Sequence, residues 1–216
     1  FDAEEPPWCH SPSMGSIRFV HDQMDERGVH AAVVLDLMGH DVPADLLPVP
    51  FPVPGLGRIR DLFFVTGTES HEALQDLLRE VGLPKRLGLI ATRNENVGDL
   101  SDHHAFRLEG YPYLFFSCGR WRHYHMPTDT PEKLSYEKMA RMASFLEALV
   151  LQSDDAELDR VPGGPREVDT VAFEKEQLRA ALGLLLPVLQ KVARIESLES
   201  REDLDHLASR LQDLGI

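Results

Sequence analysis

Four short runs of the sequence are apolar at nearly every position, and they constrain the fold more than any other feature. The runs are residues 30–37, 61–66, 87–91 and 112–117. Consecutive rather than alternating apolar residues are typical of strands that are covered on both faces. Two segments with apolar residues at helical spacing, 69–81 and 135–151, lie between or after these runs. The alternation predicts an α/β domain.

The character of the sequence changes near residue 152. We predict the α/β domain over 1–152, a linker over 153–168 and a helical hairpin over 169–216. Proline and glycine at 162–165 punctuate the linker, and Pro187 is expected to kink or divide the first helix of the hairpin. We expect the hairpin to complete the core of the domain, with binding to a partner as the alternative.

A proline-rich segment, residues 41–60, interrupts the α/β pattern. It contains five prolines, Pro43, Pro48, Pro50, Pro52 and Pro54. A long segment with little regular structure inside a compact domain is typical of either a functional loop or a disordered one.

Charge and composition exclude several classes of partner. The chain has 36 Asp and Glu against 22 Lys and Arg, a net charge of −14, so we expect no nucleic-acid partner, because neutralising phosphates requires clustered cations. No apolar run reaches the roughly 18 residues of a membrane helix, so no membrane partner is expected. Cys9 and Cys118 are too few for a disulfide framework. No export signal is visible in the sequence, and both a cytoplasmic and an exported location stay open.

Three acidic or imidazole side chains follow apolar runs. Glu5, next to Glu4, follows what looks like the end of a strand, Asp36 ends the run 30–37, and His125 lies beyond the run 112–117. Functional sites of α/β sheets collect at the carboxyl ends of strands, and carboxylates and imidazoles are zinc ligands. The residues alone are compatible with a metallohydrolase in which Glu4 takes a proton, although each of them taken singly is more often an ordinary surface or partly buried polar residue.

Four ordered segments of the chain resemble the co-catalytic zinc aminopeptidase family of bacterial leucyl aminopeptidase and aminopeptidase Y, to which the glutaminyl cyclases are related. They are FDAEE followed by MGS (1–16), VVLDLMG (33–39), SDHHAF followed by GYPYLFF (101–116) and YHMPTDTPEKL (124–134). The resemblance covers about residues 1–150. It implies a zinc-exopeptidase-like fold, with a mixed, mostly parallel sheet flanked by helices, and the C-terminal helical extension added to it.

The resemblance also implies roles and partners. Glu4 would be the general base, Glu5 and His125 would hold one zinc ion, and Asp36 would hold a second. Asp102 and His103 would lie near the substrate or behind the ligands. The implied cofactor is Zn²⁺, as one or two ions, and the implied substrate is a peptide that loses its N-terminal residue. Self-association through the C-terminal helices is a further expectation.

Two departures from the family pattern keep alternatives open. The family's first zinc-binding His and its metal-bridging Asp lie upstream of the Glu pair, ahead of Phe1 in this sequence, so we expect an N-terminally incomplete domain that lacks its first strands. Gly98 stands where some members carry a tyrosine that steadies the reaction intermediate. The alternatives are acyl transfer of the glutaminyl cyclase type and a catalytically incomplete remnant that acts as an interaction module.

Overall fold

The computed structural model describes residues 1–24, 29–42, 56–160 and 167–213. Each of the four apolar runs contains a strand. The strands are β1 (Ala32–Asp36), β2 (Leu62–Thr66), β3 (Gly88–Ala91) and β4 (Tyr113–Ser117). The α/β prediction is confirmed.

The strands form one sheet in the order β1-β4-β2-β3. The pairs β1–β4 and β2–β3 are parallel, whereas β4 and β2 are antiparallel, which confirms a mixed, mostly parallel sheet. Asp36 at the end of β1 is aligned with Ser117 at the end of β4. The chain segments that follow β1 and β4 therefore leave the sheet at the same edge.

β1 differs from the prediction that every run is covered on both faces. Val33 is 38% and Leu35 is 49% exposed, whereas all five residues of β4 are buried. β1 lies at an end of the described sheet, and Ala32 packs in an apolar cluster that includes Ala105 and Phe106. Alternate residues of a strand point to opposite faces, so only one face of β1 is covered.

Helices surround the sheet. The α-helices are α1 (Gly15–Asp22), α2 (Glu72–Val81), α3 (Asn94–Val97), α4 (His103–Leu108), α5 (Tyr136–Ser153), α6 (Val171–Leu182), α7 (Leu186–Ala193) and α8 (Arg201–Asp213). Short 3-10 helices cover Leu56–Asp61, Pro131–Lys133 and Gly183–Leu185. α2 begins three residues later than the apolar spacing suggested, because the His71 ring caps it by accepting the N–H of Ala73. None of the helices in these ranges combines the length and apolar character that crossing a membrane requires.

Three helices cover the predicted C-terminal hairpin. The first predicted helix is divided at Gly183, whose φ is +51° and which lies four residues before Pro187, the position at which a proline ring clashes with the helical carbonyl. Pro187 lies in the first turn of α7, where its missing N–H removes no helical hydrogen bond. The helix is therefore divided just before Pro187, as expected, and α6 and α7 are the two parts.

These helices pack on the sheet. Leu62 and Ile90 of the sheet share one buried apolar cluster with Leu178 of α6 and residues of α7 and α8. A second cluster on the sheet contains Phe63 and residues of α2 and α5. The C-terminal helices thus complete the core beside β2 and β3. The division of the chain into domains near residue 152 stays a prediction.

Several predicted features lie outside the described residues. They are the five prolines of the segment 41–60, the Pro and Gly residues at 162–165 of the linker, and Leu214.

Candidate active site

The shared edge of β1 and β4 positions two of the predicted site residues. Asp36 is the last residue of β1, and its Oδ1 accepts the backbone N–H of Leu37 at 2.7 Å. Residues 118–130, which follow β4, fold back in successive turns: the N–H of Tyr124 donates to the carbonyl of Trp121 at 3.0 Å, and that of Met126 to His123 at 2.9 Å. These turns hold His125 on the same edge as Asp36.

Glu5 and His125 are brought together. Glu5 Oε1 lies 2.9 Å from His125 Nε2, and the side chains are 64% and 56% exposed. The Glu5 carbonyl accepts the N–H groups of Trp8 and Cys9 at 2.9 and 3.2 Å, which fixes the turn that presents its side chain. The two residues expected to share a zinc ion therefore lie within contact distance.

Glu4 lies beside this pair in a more enclosed environment. Burial raises the pKa of its carboxyl group, a hydrogen bond from Ser101 opposes that rise, and the carboxylates of Asp102 and Asp36 add to it. Within the described ranges, Glu4 Oε1 is buried and has no hydrogen-bond partner. Glu4 thus combines a raised proton affinity with an unused acceptor oxygen, two properties of a general base.

Asp102 and His103 occupy different environments. Asp102 is 8% exposed and acts electrostatically on Glu4. His103 is fully buried, and its ring stacks on Phe115 with centroids 4.4 Å apart. His103 Nε2 lies 2.9 Å from Asn94 Oδ1, and burial lowers the His103 pKa to about 4. Of the two residues, Asp102 lies near Glu4, whereas His103 is a neutral histidine in the core.

The backbone is strained next to three of the predicted site residues. Ala3, which precedes Glu4, has a φ of +54°, Leu37, which follows Asp36, has +52°, and His125 itself has +55°. Non-glycine residues rarely adopt positive φ, and such strain is enriched at functional sites. Residues 1–3 pair with none of the described strands, and the strand expected ahead of Glu4 and Glu5 stays a prediction.

Two residues that the sequence analysis did not single out lie near the carboxylates. The Tyr124 ring stacks on His125 at 3.9 Å, and burial and the charges of Glu5, Asp36 and Glu4 raise the pKa of its hydroxyl. Burial and the charges of Glu4, Glu5 and Asp102 raise the pKa of the Cys9 thiol. Tyr124 belongs to the YHMPTDT segment and could have been noticed there, but Cys9 had no signal in the sequence.

The donor set fits zinc in part. A carboxylate oxygen and an imidazole nitrogen are both zinc ligands, and Glu5 and His125 supply one of each. In the described part of the chain, no group of three His, Cys, Asp or Glu side chains converges well enough to hold a metal ion. Asp36 takes no part in the contact between Glu5 and His125. The described residues therefore provide half of a zinc site, with one further carboxylate on the same edge.

Comparison with known families identifies the relationship. The family model described as peptidase family M28 matches residues 1–150. The chain belongs to this family. The match spans β1 to β4 and every predicted site residue.

One curated protein is similar to this chain. The chain is 27% identical over 171 residues to the uncharacterized protein YfbL of Escherichia coli (strain K12), a match that covers 71% of this chain and 50% of the relative. The chain spans about half the length of this curated relative. No solved structure gave a significant match.

Proposed function

We propose that the protein is a zinc-dependent aminopeptidase that hydrolyses N-terminal residues from peptides, with Glu4 as its general base. The observation that carries the proposal is the contact of 2.9 Å between Glu5 Oε1 and His125 Nε2, immediately beside Glu4. The membership of the M28 family supports the peptidase class, and the aminopeptidase specificity is the added step.

Glu5 and His125 would hold one zinc ion, and Asp36 a second. Bound zinc would increase the acidity of water and polarise the scissile carbonyl. Side chains of the protein carry out the proton transfers.

Glu4 accepts a proton from the attacking water as the oxygen adds to the scissile carbonyl carbon. When the C–N bond breaks, Glu4 returns that proton to the nitrogen of the leaving peptide. A raised pKa suits this double role, because a base of very low pKa accepts protons poorly at neutral pH. Burial and the nearby Asp102 and Asp36 carboxylates supply that rise.

The same carboxylates favour a free amino terminus in the substrate. Asp36 and Asp102 both act electrostatically on Glu4, so a cationic α-amine bound near Glu4 would face three carboxylates. A peptide with a blocked amino terminus lacks that charge and is expected to bind more weakly.

The proposal is tested by adding zinc to the protein and measuring hydrolysis of aminoacyl p-nitroanilides. Glu4→Gln keeps the shape of the side chain but not its basicity, so kcat should fall by about 10²- to 10⁴-fold while zinc affinity stays unchanged. Glu147→Gln, on the exposed face of α5, is the matched control and should keep full activity.

Other outcomes would decide for the alternatives. Cyclisation of peptides with an N-terminal Gln, without hydrolysis of nitroanilides, would replace the proposal by acyl transfer of the glutaminyl cyclase type. If the protein binds no stoichiometric zinc and Glu4→Gln changes none of its measured properties, the protein is a non-catalytic module. Self-association through the C-terminal helices is a separate proposal, which sedimentation of the purified protein tests.

A further inference from the structure

The segment after β1 and the segment after β4 are joined by an aromatic stack. The ring of His40 lies on the indole of Trp121, with centroids 4.7 Å apart and an angle of 13° between the planes. His40 is only 2% exposed. His40 lies four residues after Asp36, and Trp121 lies four residues before His125. The stack therefore links the two segments that carry predicted metal ligands.

The His40 side of this stack is firmly anchored. Lys138 of α5 is fully buried, and its Nζ donates to the backbone carbonyls of His40 at 2.8 Å, Arg60 at 3.0 Å and Leu62 at 2.7 Å. A buried ammonium with three carbonyl acceptors is well satisfied. The backbone of His40 is thereby tied to α5 and to the start of β2.

Glycine at position 39 allows this close packing. Gly39 has a φ of +101°, and a Cβ there would lie 2.6 Å from Met139 of α5. The N–H of Ser135 donates to the Gly39 carbonyl at 2.8 Å, and the N–H of Cys118 donates to the Leu37 carbonyl at 3.2 Å. Residues 37–40 are thus held from both α5 and the end of β4.

The Trp121 side of the stack leads to His125. The Trp121 carbonyl accepts the N–H of Tyr124 at 3.0 Å, and the Tyr124 ring stacks on His125. The ring of Trp121 also meets His123 edge-on at 4.8 Å. His40 itself is neutral near pH 7, because burial and the charge of Lys138 lower its pKa to about 4, so it can remain buried against the indole without a counter-ion.

We propose that His40 is a positioning residue that holds residues 118–130 through Trp121 and so keeps His125 opposite Glu5. The inference rests on the proposed function, since it assigns His125 to a zinc ion. His40 touches no substrate in this assignment and acts only through Trp121. Its neutral ring supplies a flat, buried surface on which the partly exposed indole is fixed.

Trp121→Ala tests the inference without removing a buried side chain, and Trp121→Phe retains an aromatic ring for the stack. The matched control is Tyr136→Ala, which removes an aromatic ring that is 61% exposed at the start of α5. The first readout is amide hydrogen exchange of Tyr124, Met126 and Asp129 in the metal-free protein. Loss of an aromatic contact shifts the equilibrium between the closed and the locally opened segment by about 3- to 10-fold. Exchange at these amides should therefore be faster by that factor in Trp121→Ala.

The second readout is the zinc affinity, measured by titration against a chromophoric chelator. Trp121→Ala should bind zinc about 3- to 10-fold more weakly, and Trp121→Phe should recover most of the affinity and of the exchange protection. His40→Gln, if it folds, should match Trp121→Ala in both readouts.

The outcomes separate this inference from the proposed function. The positioning role would be overturned if Trp121→Ala had the same amide exchange rates and the same zinc affinity as Tyr136→Ala. Faster exchange in Trp121→Ala, in a protein whose wild type binds no zinc, would retain the role of the stack in holding residues 118–130 and would refute the metal assignment of His125 and the proposed function.

Discussion

The carboxylate of Glu5 lies 2.9 Å from Nε2 of His125, which joins the first turn of the chain to the segment after the last strand of the sheet. The contact depends on the parallel pairing of β1 and β4, because this pairing directs residues 118–130 to the edge at which Asp36 ends β1. Both side chains are more than half exposed, so an ion could replace their mutual contact at little desolvation cost.

We expect His125→Ala to abolish tight zinc binding, whereas His123→Ala, which removes contacts with Trp121 and Thr128 but no ligand, should weaken it by no more than about 10-fold. Both histidines lie in the same turns, but His123 Nδ1 is engaged with Thr128 Oγ1 at 2.9 Å. Loss of a residue that only orients a ligand weakens metal binding about 10- to 100-fold, so loss of a ligand should exceed 100-fold. Isothermal titration with zinc measures both variants, and equal affinities would refute the assignment of His125.

The sequence predicted the sheet well because a buried strand must be apolar at every position. Residues 112–117 show this most clearly, since every residue of β4 is buried. The same reasoning failed at β1, where Val33 and Leu35 are apolar but exposed, because an apolar run does not reveal which strand lies at an end of the sheet.

The candidate site was predictable only where residues keep a characteristic spacing. Ordered segments single out Glu4, Glu5, Asp36 and His125, and Glu5 Oε1 lies 2.9 Å from His125 Nε2. That Glu5 and His125 share an ion stays a prediction. Lys138 could not be found in this way, because its burial depends on three carbonyls from distant segments. His103, named as a candidate, is held in the core by stacking that no sequence pattern describes.

Protonation of two buried histidines should make an unfavourable contribution to stability as the pH decreases from about 6.5 towards 4. Burial lowers the pKa of His103 and of His40 to about 4, below the value near 6.5 of an unfolded histidine. Between these values the unfolded state binds more protons, so unfolding becomes easier at lower pH. Each histidine should contribute about 3 kcal/mol to this loss, which urea unfolding at a series of pH values measures.

His103→Phe isolates one of these contributions. The phenyl ring can keep the stack on Phe115 but leaves Asn94 Oδ1 without the Nε2 donor, so the variant should be less stable than the wild type by about 1–3 kcal/mol at pH 7. Its loss of stability between pH 6.5 and 4 should be smaller than that of the wild type by about 3 kcal/mol. The same pH dependence in both proteins would show that His103 is not buried in its neutral form.

Arg201→Gln should destabilise the protein by about 3–5 kcal/mol, because it leaves Glu174 as a buried charge without its cation. Glu174 is 2% exposed, and Arg201 Nη1 lies 2.9 Å from its Oε1. Arg179→Gln is the control: the Arg179 side chain is 62% exposed and lies 3.6 Å from Glu199, so its loss should cost no more than about 1 kcal/mol.

Chemical unfolding at pH 7 measures both arginine variants. Adding Glu174→Gln to Arg201→Gln removes the buried charge and should recover part of the lost stability. No recovery would mean that Arg201 stabilises the C-terminal helices by packing rather than by neutralising Glu174.

Gly88→Ala should destabilise the contact between the sheet and α6. A Cβ at Gly88 would lie 2.6 Å from Leu62 Cδ2 and 3.2 Å from the Cβ of Ala181 in α6. Leu62 is 2% exposed and has little room to move, so the extra methyl group should cost about 1–3 kcal/mol. Gly57→Ala is the matched control, because no atom of the described residues lies within 4 Å of its added Cβ, and its stability should stay within about 1 kcal/mol of the wild type.

Equal stabilities of Gly88→Ala and Gly57→Ala in urea unfolding would show that α6 does not approach β3 as closely as the structure places it. If only Gly88→Ala is destabilised, and its unfolding remains a single transition by fluorescence and by circular dichroism, the C-terminal helices and the sheet unfold together. They then form one cooperative core, as expected from the apolar cluster that Leu62 and Ile90 share with α6, α7 and α8.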